Sequence, residues 1–77
     1  MNARLDDMVQ SIRDGACTKS VGVLSSGERC YVALAAGRYD LLPDGDADPI
    51  EAWYRLDSDW RAGVCQWRAW PETYARG

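Results

Sequence analysis

Residues 21–42 read VGVLSSGERCYVALAAGRYDLL, and the fold turns on whether this stretch is a helix or a pair of strands. As a hairpin, 21–24 would pair with 29–35 across the turn SSGE. As a helix, Ser25 caps the first turn, Glu28 completes an S-x-x-E capping box, and Gly37 takes the left-handed position past the last turn. Ala33, Ala35 and Ala36 favour the helix, since alanine is the best helix former and is depleted in strands. The expected fold is therefore all-α, one small domain over residues 1–77 built from three to four short helices. The rival is an α+β arrangement with a hairpin at 21–36 packed by helices. In the helical reading Val21, Val23 and Leu24 form an extended apolar approach that packs on the core.

Upstream, Leu5, Met8, Val9 and Ile12 recur at i, i+3, i+4 and i+7, which predicts a helix over 2–14 with one apolar face. Asn2 caps it, Asp6 and Asp7 suit the positive end of its dipole, and Gly15 ends it. Downstream, PDGDADP at 43–49 is a loop. Asp48 then serves as N-cap, Pro49 as first helical residue and Glu51 as capping-box partner, and Ile50, Trp53 and Tyr54 share a face. Ser58 as a second cap would break this helix near Asp57–Ser58 and restart it over 59–69. The near-heptad spacing of Trp53, Leu56, Trp60, Val64 and Trp67 allows it to run through instead. Pro71 stops the helix in either case, and 72–77 reads as a frayed tail.

A chain of 77 residues buries only about 60% of its extended surface, so a net stability of a few kcal/mol is expected. There is no Phe; four Trp and four Tyr must supply the large apolar area. On a helix over 59–69, Trp60, Val64 and Trp67 make one stripe, read as core. Arg61, Cys65 and Arg68 make the neighbouring stripe, with arginine stems over the core and heads in water. Trp70 and Tyr74 follow the last reliable turn, either folded back as a lid or left as a partner surface.

The apolar run Tyr31–Ala36 is far short of the roughly 18–20 residues that span a bilayer. The opening MNARLDDM does not read as a secretory signal. Cys17, Cys30 and Cys65 are an odd number at scattered spacing, read as free thiols in a reducing cytoplasm. Eight of nine basic residues are Arg, a composition associated with GC-rich bacterial or phage genomes. The net charge of −3 hides a division: 40–59 carries seven carboxylates against one arginine, a local −6, and the other residues sum to +3.

Chemistry finds few parts here. Asp44, Asp46 and Asp48 alternate as in a calcium loop, but Pro49 stands where the turn needs Gly and Arg55 where the bidentate Glu belongs. With no His and no C-x₂₋₄-C pair there is no zinc pattern, and a Ser or Cys nucleophile has no imidazole base. GVLSSGE lacks the lysine and spacing of a P-loop. A non-enzymatic domain without metal or cofactor is expected.

The expected function is binding another protein, as a small adaptor, inhibitor or accessory factor. The contact surface would be either Arg61, Arg68, Trp70 and Tyr74 or the acidic residues Asp40, Asp44, Asp46 and Asp48. Trp, Tyr and Arg are the residues enriched in binding hot spots. The alternative is a nucleic-acid-binding regulator using Arg61, Arg68, Arg76 and Trp70, against which the acidic balance weighs. Homodimerisation is a third reading, since a small Trp-rich domain can bury its spare face against itself.

Overall fold

The computed structural model describes residues 3–15, 19–43 and 48–76, and the side chains of 19, 20 and 76 are outside that description. Among the described residues there are four α-helices and no strand. They are α1 (Ala3–Arg13), α2 (Ser26–Ala36), α3 (Pro49–Arg55) and α4 (Ser58–Arg68). Short 3₁₀ turns at Lys19–Val23, Tyr39–Leu41 and Glu72–Arg76 complete the chain. The all-α reading holds and the hairpin at 21–36 does not. Asn2, Cys17, Asp44 and Asp46 lie outside the described residues.

The capping signals explain why 26–36 is helical. The Ser25 hydroxyl accepts from the Glu28 N–H at 3.3 Å, and the Glu28 carboxylate accepts from the Ser25 N–H at 3.0 Å. Those hydrogen bonds hold Glu28 below the usual carboxylate range. At the far end Gly37 adopts φ 73°, and the Arg38 N–H returns to the Ala33 carbonyl at 2.9 Å. Both ends are therefore closed by local bonds that a strand could not use. The helix is buried on every side over Cys30–Ala35, and α1, α3 and α4 all pack on it. Small alanines allow that close approach.

The remaining elements form around this axis. α1 buries Leu5, Val9 and Ile12, three of the four apolar positions predicted, and Gly15 follows it at φ 88°. The approach to α2 is a 3₁₀ turn, not an extended segment: Val21 is buried, Leu24 packs at the edge of the core, and Val23 points out at 85% exposure.

The helix over 49–68 is broken. Asp57, not Ser58, caps α4 by accepting from the Trp60 N–H at 3.0 Å. The break leaves Leu56 extended (φ −80°, ψ 147°), which turns its side chain into the core. An uninterrupted helix would forfeit both the cap and that burial. Residues 72–76, assigned to a frayed tail from sequence, instead form a 3₁₀ turn laid on α4 with Ala75 buried.

Candidate functional site

The four tryptophans divide between two faces. Trp60 and Trp67 lie with Val64 on the inner stripe of α4, as the spacing predicts, and both pack against the core. Trp60 meets the buried Tyr31 ring edge-on, with centroids 5.2 Å apart. Asp6 Oδ1 accepts from the Tyr31 hydroxyl at 2.7 Å and from the Trp67 indole N–H at 3.2 Å. Burial, and then Asp6, push the Tyr31 phenol far above its ordinary range. Asp6 thus ties α1, α2 and α4 together on this face.

Trp53 and Trp70 build the other face. Their rings meet edge-on at 6.0 Å and 65°, and Trp70 reaches Tyr74 at 6.3 Å and 56°. Both indoles are half-buried against the core. Together with Leu34, Tyr39, Ile50 and Tyr54 they line an open groove of about 590 Å³, floored by apolar carbon. Ile50 is 68% exposed, Tyr54 62%, Tyr74 55% and Tyr39 41%. The shared face of Ile50, Trp53 and Tyr54, legible in the sequence, is thus directed outward along the groove, while Ala52 and Leu56 bury α3.

Local structure explains how Trp70 arrives there. Ala69 ends α4 in the left-handed region (φ 55°), and the Trp70 N–H bonds back to the Cys65 carbonyl at 2.9 Å. That reversal directs the chain over α3, and the Tyr74 N–H then bonds to the Pro71 carbonyl at 3.0 Å, starting the final turn. Trp70 packs against the core, as the lid alternative expects, and the rest of its ring lines the groove.

The arginines behave differently from the sequence expectation. Their heads are not simply in water; they close helix C-termini. Arg61 donates from Nε to the Trp53 carbonyl at 3.0 Å and from Nη2 to the Tyr54 carbonyl at 3.2 Å. Arg68 donates from Nη1 to the Leu34 carbonyl at 3.1 Å and to the Tyr39 hydroxyl at 3.2 Å. Arg13, which the sequence did not single out, donates to the carbonyls of Ala35 and Trp67, both at 3.2 Å. These positions suit a cation, because unpaired carbonyls concentrate negative charge at helix ends. The same guanidiniums lie on aromatic rings: Arg61 is 5.6 Å from the Tyr54 centroid, and Arg68 is 5.8 Å from Tyr39 and 4.7 Å from Trp70. Two positive charges therefore border the groove, and none of its lining residues carries a carboxylate. The side chain of Arg76 is outside the described residues.

Of the four acidic residues named from sequence, Asp40 and Asp48 are described, and each has a local partner. Asp48 accepts from the Ile50 N–H at 2.8 Å as the N-cap of α3. Asp40 pairs with Arg38 at 3.0 Å, a contact that holds its carboxyl below the usual range. Among the described residues no cluster of His, Cys, Asp or Glu could hold a metal ion. Cys30 and Cys65 are buried and form no disulfide with each other, and burial raises the Cys65 thiol despite a hydrogen bond from the Ala75 backbone. No helix among the described residues is long and apolar enough to cross a membrane. Comparison with known proteins finds no family model, no characterised protein and no solved structure that matches the chain.

Proposed function

We propose that the chain is a non-catalytic protein-binding domain whose contact surface is the aromatic groove between α3 and the C-terminal turn. The observation that carries this reading is the exposure of Ile50, Tyr54 and Tyr74 on one continuous apolar surface. Exposed apolar patches of a few hundred Å² on a monomer are often functional, and this one's Trp, Tyr and Arg content is that of a binding hot spot. Of the residues read from sequence, Trp70 and Tyr74 line the groove and Arg61 and Arg68 border it. The acidic segment is the weaker surface, since Asp48 is committed to capping and Asp40 to Arg38. The nucleic-acid alternative also loses support, because Arg61 and Arg68, held on backbone carbonyls, contribute two charges at the groove border and not an extended basic patch.

The test is capture from a lysate, with and without nuclease, by the tagged wild type and by Ile50→Asp. This substitution places a charge on the groove at a first-turn position where a carboxylate suits the helix dipole. A protein retained by the wild type and lost by a folded Ile50→Asp variant is the expected result. Identical captures by both would sink the reading. Recovery of nucleic acid, abolished by nuclease and by salt, would favour the alternative.

A further inference from the structure

We infer that the groove takes a proline-rich extended segment of its partner, carrying acidic residues at the end that meets Arg68. This rests on the protein-binding reading above and names the occupant. Three features of the groove select it.

The first is area. The exposed parts of Tyr39, Ile50, Tyr54 and Tyr74 amount to on the order of 400–500 Å², given their fractional exposures. A stable dimer or a folded partner covers roughly 800 Å² on each side. The groove alone is too small for a second copy, and its scale is that of a short linear segment.

The second is the shape of the walls. Tyr39, Trp53, Tyr54, Trp70 and Tyr74 supply most of the lining. Trp53 and Trp70 meet edge to face at 65°, and Trp70 and Tyr74 are tilted at 56°, so the lining presents ring edges as well as ring faces. Ring-walled clefts of this kind receive pyrrolidine rings, whereas an amphipathic helix seeks aliphatic pockets at helical spacing. Ordering costs point the same way. A small contact offsets little conformational entropy, and a polyproline II segment is already extended before it binds.

The third is charge. Arg61 and Arg68 touch the rings of Tyr54, Tyr39 and Trp70, and no lining residue is acidic. A lysine-flanked segment would face two like charges, and a carboxylate-flanked one finds complementary potential. Arg68 lies 4.7 Å from the Trp70 centroid, where an acidic flank gains most.

The experiment titrates the ¹⁵N-labelled protein with three synthetic peptides: a proline–leucine core with aspartates at one end, the same core with lysines there, and a leucine-rich amphipathic helix of similar length. The aspartate peptide should shift the Ile50 and Tyr74 amides and the Trp53 and Trp70 indole N–H signals. It should bind about tenfold more tightly than the lysine peptide, and Ile50→Asp should abolish the shifts. Equal affinity for the two flanks, preference for the helical peptide, or no shift at the groove would each overturn the inference. So would a dimer that sedimentation detects and Ile50→Asp dissociates, since the occupant would then be a second copy. Should these peptides fail while lysate capture still depends on Ile50, the binding reading stands with a different occupant. If capture is also indifferent to Ile50, both fall together.

Discussion

The two tryptophan pairs differ in what finishes them. Around Trp60 and Trp67 the Trp67 indole N–H and the Tyr31 hydroxyl both meet Asp6, and the Trp60 ring meets Tyr31, so each group has a partner inside the fold. Around Trp53 and Trp70 the rings meet one another, Tyr74 and Arg68 at the edge of the core, and three neighbouring apolar side chains remain more than half exposed. One residue type, on adjacent helices of one small domain, is structural on one face and available on the other. The difference comes from the neighbours: a carboxylate one α-helix away against a rim of exposed tyrosines.

Substitutions should separate the faces sharply. Tyr31→Ala removes a fully buried ring and the Trp60 contact, a loss of about 3–5 kcal/mol, comparable to the whole stability of so small a domain. It should leave the chain largely unfolded by circular dichroism. Tyr54→Ala and Tyr74→Ala, both exposed, should melt within about 0.5 kcal/mol of the wild type while weakening capture at the groove. Comparable destabilisation at Tyr31 and Tyr54 would erase the contrast.

The face of Trp60 and Trp67 was the more legible of the two. The stripe Trp60, Val64 and Trp67 follows from helical spacing, and α2 follows from Ser25, Glu28 and Gly37, because capping bonds span only a few residues. The groove is not local: Leu34, Tyr39, Ile50 and Trp70 come from four parts of the chain. Its composition was visible at Trp70, Tyr74, Arg61 and Arg68, but α3 could not be oriented from its own stripe. Ile50, Trp53 and Tyr54 look like a core face, yet Ala52 and Leu56 take the buried side of α3, leaving Ile50 and Tyr54 exposed and Trp53 half-buried. The arginines were misread for a similar reason, since a helix C-terminus that needs a donor is known only once helices are packed.

Asp6 supplies the next effect in size. Asp6→Ala leaves the Tyr31 hydroxyl and the Trp67 indole without their acceptor, at a cost of about 2–3 kcal/mol in urea denaturation. Asp6→Asn keeps an accepting oxygen and should recover about half of that loss. The Tyr31 phenol adds a pH dependence. Its folded value is raised above the ordinary 10.0, so its contribution is complete below that pH and is lost as pH rises through the folded value. Alkaline destabilisation should therefore shrink in Tyr31→Phe, whereas the exposed Tyr54→Phe should leave it unchanged.

The cap of α2 comes next. Ser25→Ala should cost about 1 kcal/mol, through the bond to the Glu28 N–H. Glu28 acts at the opposite end of the pH scale. Its folded value lies below the ordinary 4.5, so its stabilisation is present above that pH and fades as pH falls through the folded value. Glu28→Gln should flatten that acid limb of the stability profile. Ser25→Ala should largely retain it, because the Ser25 N–H that bonds the carboxylate is backbone.

The smallest expected effect compares the two helix ends beside the groove. α2 turns at Gly37, where an added Cβ would sit 3.2 Å from Arg68 Nη1, so glycine there serves both the positive φ and the arginine. α4 makes the same reversal with Ala69 at φ 55°, a conformation that costs an L-residue about 1–2 kcal/mol and has no glycine to relieve it. Ala69→Gly removes that strain and adds roughly 0.5–1 kcal/mol of unfolded-state entropy. The net expectation is a stabilisation of about 0.5 kcal/mol, read as a raised denaturation midpoint with the groove unchanged. A lowered midpoint would mean that Ala69 is not held in the left-handed region in solution. The reversal that carries Trp70 onto Trp53, and with it one wall of the groove, would then be in doubt.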